Sequence, residues 1–242
     1  MDNININQAP IDPNVAIIEI RAGTGGNEAG IFAKDLFRMY VRFAENKGYK
    51  IEKLSPTSVK LNGKNVYALL KNESGVHRVQ RVPITEASGR THTSTATVAV
   101  LPKVKKVNIN IVPEDLKWEF YRSGGKGGQN VNKVSTAVRL THKPTEITVE
   151  CQESRTQGKN RERALEILNS RIYTEMQEQQ VKNITDLRSS QVGLAQRPEK
   201  IRTYNFPQDR ITDHRIKKSF GNIKKILDGN LDKMLKEKFK KP

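Results

Sequence analysis

The sequence predicts an α+β, multi-domain protein, and three observations carry that prediction. A strand-like run, Ala16-Ile17-Ile18-Glu19-Ile20, leads through a glycine-rich turn into a stretch of helical period. Two β-rich runs at 75–82 and 93–100 follow. A second strand group, at 116–121, 136–141 and 147–151, then precedes a long helical stretch from Gly158. At 242 residues the chain has room for one large domain or two to three small ones.

In order, residues 1–13, with Asn, Gln and two prolines, read as a loose arm. The turn after the first strand is Gly23-Thr24-Gly25-Gly26-Asn27-Glu28, and the helix beyond it carries Phe32, Leu36, Tyr40 and Phe43 on one face, with Gly48 as its stop. Dinucleotide sites also begin this way. Here Glu28 occupies the third glycine position of G-x-G-x-x-G, where an acid repels pyrophosphate. Asn62-Gly63 between Val59–Leu61 and Val66–Ala68 predicts a hairpin. Gly75–Val82 alternates Val with Arg, Gln and Arg, which predicts a strand with one buried and one basic face. Pro83 ends it, Gly89 turns the chain, and Thr93–Val100 returns as a strand, leaving a polar loop of about ten residues suited to recognition.

Val112-Pro113-Glu114 marks a boundary. Leu116–Tyr121, Thr136–Thr141 and Ile147–Cys151 read as strands, and Gly158 to about Gln180 as a helix with Leu165, Leu168, Ile172 and Met176 on one face. Arg161, Arg163 and Arg171 form either a solvated face or one that lies on RNA. Residues 184–203 are polar and read as a hinge or switch. From Ile223 an amphipathic basic helix closes the chain.

The 43 Lys and Arg against 26 Asp and Glu give +17, a surplus whose default partner is nucleic acid, with an anionic membrane surface second. Aromatic content of 6% favours phosphate contact and shape readout over base-stacking platforms. One cysteine, Cys151, excludes an internal disulfide, and the scattered His77, His92, His142 and His214 argue against zinc, so neither metal nor cofactor is expected. No signal peptide and no span of ~20 apolar residues is present, which reads as a soluble, cytoplasmic protein.

Between the strands at 116–121 and 136–141 lies Arg122-Ser123-Gly124-Gly125-Lys126-Gly127-Gly128-Gln129-Asn130. Four glycines in five positions let the backbone approach another molecule closely, and no Gly-Lys-Ser/Thr follows to make a P-loop. Taken alone, the loop is equally a linker or an anion nest.

Gly127-Gly128-Gln129 in this setting resembles the Gly-Gly-Gln loop of bacterial peptide chain release factors. Collinear blocks at 19–28, 75–82, 89–100, 149–152, 202–208 and 212–215 look like the same family, covering residue 14 to the end. Pro83-Ile84-Thr85 is similar to the Pro-x-Thr tripeptide of the type-one factors, which read UAA and UAG; the Ser-Pro-Phe form is absent. The resemblance implies a codon-recognition α/β sandwich (14–112), a small β-sheet and helix domain for peptidyl-tRNA hydrolysis (113–190), a switch (191–203) and a C-terminal segment (204–242) packing back on the first domain. It implies that Gly25 and Glu28 hold the first uridine, Thr85 reads the first two bases, His92 lies between the second and third, and Gln80 with Thr93 addresses the third. Gly127 and Gly128 would aim the Gln129 backbone N–H at the reacting centre. Gln129 is a methylation target in relatives, which implies N5-methylglutamine and a glutamine methyltransferase. The implied partners are both ribosomal subunits, ribosomal RNA, the mRNA stop codon and peptidyl-tRNA, with a factor that promotes ester hydrolysis on the ribosome rather than an enzyme in its own right.

The sequence also departs from the pattern. The family's helical N-terminal domain does not precede residue 14, Gly193-Leu194-Ala195-Gln196 replaces Gly-Ser-Gly-Asp in the switch, and Glu146 and Asp209 stand where glycine is common. Two other readings stand beside termination: a codon-independent ribosome-rescue hydrolase, and a non-hydrolytic ribosome- or RNA-binding protein.

Overall fold

The computed structural model describes residues 11–83, 86, 88–104, 111–124, 133–193 and 199–237. The chain divides into two compact units. The larger joins Pro10–Lys105 with Asn183–Pro242, and the smaller contains Lys106–Lys182.

In the larger unit, β1 (Ile11–Ala22), β2 (Lys50–Ser55), β3 (Ser58–Asn62), β4 (Gly75–Arg81), β5 (His92–Val104), β9 (Lys200–Asn205), β10 (Arg210–Asp213) and β11 (Lys218–Gly221) form one sheet. Its order is β11-β10-β9-β4-β5-β1-β3-β2. Every pairing is antiparallel except β4 with β9. The helix α1 (Asn27–Asn46) buries Phe32, Leu36, Tyr40 and Phe43 against Ile18, Val79, Val98 and Tyr204, and Gly48 turns at φ 66°. Two short C-terminal helices, α4 (Ile223–Leu227) and α5 (Asp232–Leu235), add Ile223, Leu231 and Met234 to this core. The single helix read from Ile223 is therefore broken in two. Gly229, at φ 98°, makes the break, and a Cβ there would fall 2.7 Å from the Phe43 backbone nitrogen.

Three further readings change. Gly63 makes no hairpin: β3 pairs with β2 across Pro56-Thr57, and Val66–Leu70 is a helical turn, α2. Its glycine serves packing instead, since a Cβ would lie 2.2 Å from the Tyr49 ring. On β4, Val76 and Val79 are three residues apart and so point to opposite faces. His77, Val79 and Arg81 share the face toward α1, which leaves Arg78 and Gln80 on the other; no single basic face exists. In the third, the strand β1 starts at Ile11, inside the stretch read as an arm, with a register shift around Pro13.

In the smaller unit, β6 (Leu116–Tyr121), β7 (Ala137–His142) and β8 (Ile147–Cys151) form an antiparallel sheet in that order. The helix α3 (Gln157–Val192) packs Ala164, Leu168 and Ile172 on Val138, Leu140, Val149 and Cys151. Cys151 is a buried strand-end residue. The helix does not stop near Gln180. It runs through the stretch read as a hinge to Val192, and Gly193 at φ 54° follows it. Within the larger unit this last part is held by polar contacts. Arg188 donates twice to Glu19 (2.9 and 2.7 Å), and the Gln191 amide brackets the Val100 backbone (2.8 and 3.0 Å).

Beneath the larger sheet, Arg202 is fully buried between Glu73 and Asp213. It donates from Nε to Asp213 at 2.8 Å and from Nη2 to Glu73 at 2.7 Å, while Tyr40 also donates to Glu73 at 3.2 Å. His77 contacts the Glu73 carbonyl (3.0 Å) and the Tyr204 hydroxyl (3.3 Å). Burial, with Arg202 adding to it, pushes the His77 imidazole down to about 4. Burial raises the Asp213 carboxyl, but Arg215 and Arg202 outweigh it and hold the group at about 2.

Both groups have folded values below their ordinary ones. The His77 contribution to stability is complete above 6.5 and is lost as pH falls toward 4; that of Asp213 is complete above 3.8 and is lost toward 2. The free energy of urea unfolding is expected to fall by about 3 kcal/mol through His77 alone across its window. His77→Gln should flatten the wild-type slope between pH 6.5 and 4, and a mutant slope as steep as the wild type's would refute this. A second expectation concerns Glu146, which is exposed and sits at φ 57° between β7 and β8. A non-glycine residue there costs about 1 kcal/mol. Glu146→Gly should stabilise the protein by up to about that amount in chemical denaturation.

Candidate functional site

Most of the residues assigned to base reading meet at one end of the larger sheet. The turn leaving β1 is stitched to β5: Gly23 N–H donates to the Thr95 carbonyl (2.9 Å), Thr24 N–H to Thr95 Oγ1 (2.8 Å), and Thr95 N–H to the Thr24 carbonyl (2.8 Å). Gly25 has φ 137°, and a Cβ on it would lie 2.3 Å from Ser94 Oγ. Conformation and contact both demand glycine there. Glu28 follows in the first turn of α1, 5% exposed. Across β4 and β5 the register sets Gln80 opposite Thr93 and Arg81 opposite His92. Gln80 is also level with Asn205 of β9, whose Nδ2 donates to Gln80 Oε1 at 3.4 Å.

Pro83 is buried, and its carbonyl accepts from Glu86 N–H at 3.1 Å. Glu86 Oε2 lies 2.8 Å from His92 Nε2, so the loop that carries the tripeptide also holds the histidine. Hydrogen bonds from Ser88, with His92 beside it, keep the Glu86 carboxyl below its usual value. Ile84 and Thr85 lie outside the described residues. On the face shared with Gln80, Arg78 Nε donates to Thr203 Oγ1 (3.2 Å), which contacts His214 Nε2 at 2.7 Å. The result is an arrangement of backbone N–H groups at a helix start, a paired Gln and Thr, and an imidazole. It can address base edges with donors and acceptors.

The second site is in the smaller unit. Gly127, Gly128 and Gln129 lie outside the described residues, but both feet of their loop are described. The last strand pair is Tyr121 with Ala137, and Ser123 Oγ meets Thr136 Oγ1 at 3.4 Å beyond it. Asn160, 1% exposed in the first turns of α3, clamps this stem. Its Nδ2 donates to the Thr136 carbonyl (2.8 Å) and the Ser154 carbonyl (2.9 Å), and its Oδ1 accepts from Ser154 N–H (2.8 Å). Gln157 Nε2 donates to the Ser135 carbonyl (2.9 Å). Sequence reasoning missed Asn160, because a single polar residue at a helix start carries no periodic signal. The three α3 arginines read as RNA-facing or solvated all have protein partners. Arg161 lies 4.6 Å over the Trp118 ring, Arg163 pairs with Glu166 at 2.9 Å, and Arg171 donates to the Thr148 carbonyl at 3.0 Å.

Among the described residues no helix is long and apolar enough to cross a membrane. Two family models match the chain: the PCRF domain over residues 3–98 and the RF-1 domain over 105–215. Peptide chain release factor 1 of Thermotoga maritima is 53% identical over 237 residues, covering 94% of this chain and 69% of the relative. The protein of the same name from Caldicellulosiruptor saccharolyticus is 54% identical over 239 residues, 93% of this chain and 67% of its own length. Among solved structures, RF2 of Thermus thermophilus superposes with a TM-score of 0.53 at 37% identity, over 95% of this chain and 68% of that one. The two matching family models and relatives this close place the chain in the family of bacterial type-one peptide chain release factors, which terminate translation.

Proposed function

We propose that the chain recognises UAA and UAG in the ribosomal decoding site and triggers hydrolysis of the peptidyl-tRNA ester through its Gly-Gly-Gln loop. One observation above all supports the reading. Gly25, Glu28, Gln80, His92 and Thr93, distant in sequence, converge at the sheet end from which the Pro83-Ile84-Thr85 loop departs. The helix start holds the first uridine, Thr85 addresses the first two bases, His92 separates the second from the third, and Gln80 with Thr93 reads the third. Codon reading belongs to the larger unit and ester hydrolysis to the smaller.

Hydrolysis in this proposal needs no nucleophilic side chain. The Gln129 backbone N–H donates to the developing negative charge, Gly127 and Gly128 leave the backbone free to aim it, and the Gln129 side chain restricts the pocket to water. The factor works within the ribosome's peptidyl transferase centre as a promoter of the reaction, in the cytoplasm, in contact with both subunits, ribosomal RNA, the mRNA and peptidyl-tRNA. Methylation of Gln129 by a glutamine methyltransferase is part of the same proposal.

Peptide release from ribosomes programmed with UAA, UAG, UGA, a sense codon or truncated mRNA tests it. Release on UAA and UAG alone is expected. Release independent of codon would make the chain a rescue hydrolase, and binding without release would make it a ribosome-binding protein. For the chemistry, Gln129→Ala should keep part of the release rate and Gln129→Pro, which removes the N–H, should abolish it; equal loss in both would sink the backbone mechanism.

A further inference from the structure

Arg81 ends β4 opposite His92, on the face toward α1. Its guanidinium holds two carboxylates of one helix: Nε donates to Glu28 Oε1 at 2.5 Å and Nη1 to Asp35 Oδ2 at 2.8 Å. Glu28 and Asp35 are seven residues apart, two helical turns, so both project from one side of α1. The guanidinium also lies 5.2 Å over the Phe206 ring, and Phe206 N–H donates to the Gln80 carbonyl at 3.0 Å. One side chain thereby joins the start of α1, the end of β4 and the turn after β9.

The cluster is not built for stability alone. The side chains of Arg81 and Glu28 are 14% and 5% exposed, and among the described residues Arg81 Nη2 and Glu28 Oε2 are buried without a hydrogen-bond partner. Unsatisfied buried polar groups are costly, and an ion pair so placed contributes less than apolar residues of the same volume would. What the planar fork adds is geometry: two fixed N–H directions that set the height and rotation of the first turn of α1 against β4.

We infer that Arg81 is a positioning residue for the first base of the codon, acting through Glu28 and without touching the codon itself. The inference rests on the proposed codon reading and adds to it. Reading of the third base runs through Gln80 and Thr93, on the opposite face of the strands, and does not depend on the fork.

The test is peptide release by the full chain on ribosomes programmed with UAA, CAA and UAC. Arg81→Met should lower the UAA-to-CAA preference by roughly tenfold and leave the UAA-to-UAC preference within about twofold. Arg81→Lys, which keeps the charge and loses the fork, should show an intermediate loss at the first base, and it carries the test if the methionine variant does not fold. Arg38→Met removes the exposed partner of Asp35 and should change neither ratio. Equal loss of both preferences, or no change in either, overturns the inference. A wild type that does not distinguish the three codons overturns the codon reading itself, and the inference with it.

Discussion

Arg202, buried between Glu73 and Asp213, is the interaction on which the larger unit depends. A guanidinium out of water must be paired on all sides, and removing one partner of such a group costs about 3–5 kcal/mol. Its partners come from far apart in the chain. Glu73 precedes β4, and Asp213 ends β10 after the chain has left the smaller unit. Closing this network therefore commits the chain to return beside β4. The return takes the form of the one parallel pairing in the sheet, β4 with β9. A parallel pair requires a long crossover, and here the crossover includes the Lys106–Lys182 part of the smaller unit.

The two ends of β4, β5 and β9 then have opposite characters. At the Glu73 end the polar groups are sealed and satisfied, with His77, Tyr40 and Tyr204 completing the network. At the other end Gln80, Thr93 and Asn205 lie level with one another, with His92 one residue further along opposite Arg81, where the strands run out into the Pro83 loop. The rigid end holds the strands in register, and the register places the groups proposed to read bases. Local strain is tolerated where the loops demand it: Asp209 sits at φ 43°, yet its carboxylate accepts the Ile223 N–H at 2.8 Å and caps the entry to α4.

Apolar periodicity was legible wherever an element buries one apolar face. The stripe on α1 and the spans of β6 and β8 could be read directly, because each packs against a continuous hydrophobic layer. Where polar contacts hold an element, the pattern disappears. The last turns of α3 are polar because Arg188 and Gln191 grip Glu19 and the Val100 backbone, so residues 184–192 read as part of a hinge although they are helix. Gly63 misled for a related reason. Its missing side chain makes room for Tyr49, fourteen positions upstream.

The sequence by itself determined the α+β class, the helix stripe, the Gly-Gly-Gln stretch and the tripeptide of the recognition loop, since these are local patterns or contiguous motifs. Only the tertiary structure decided that Arg81 joins three elements, that Asn160 clamps the loop stem, and that Arg202 binds the returning chain. Those roles depend on hydrogen bonds between segments remote in sequence. Such bonds are directional and single, so they leave no repeating trace along the chain from which they could be read.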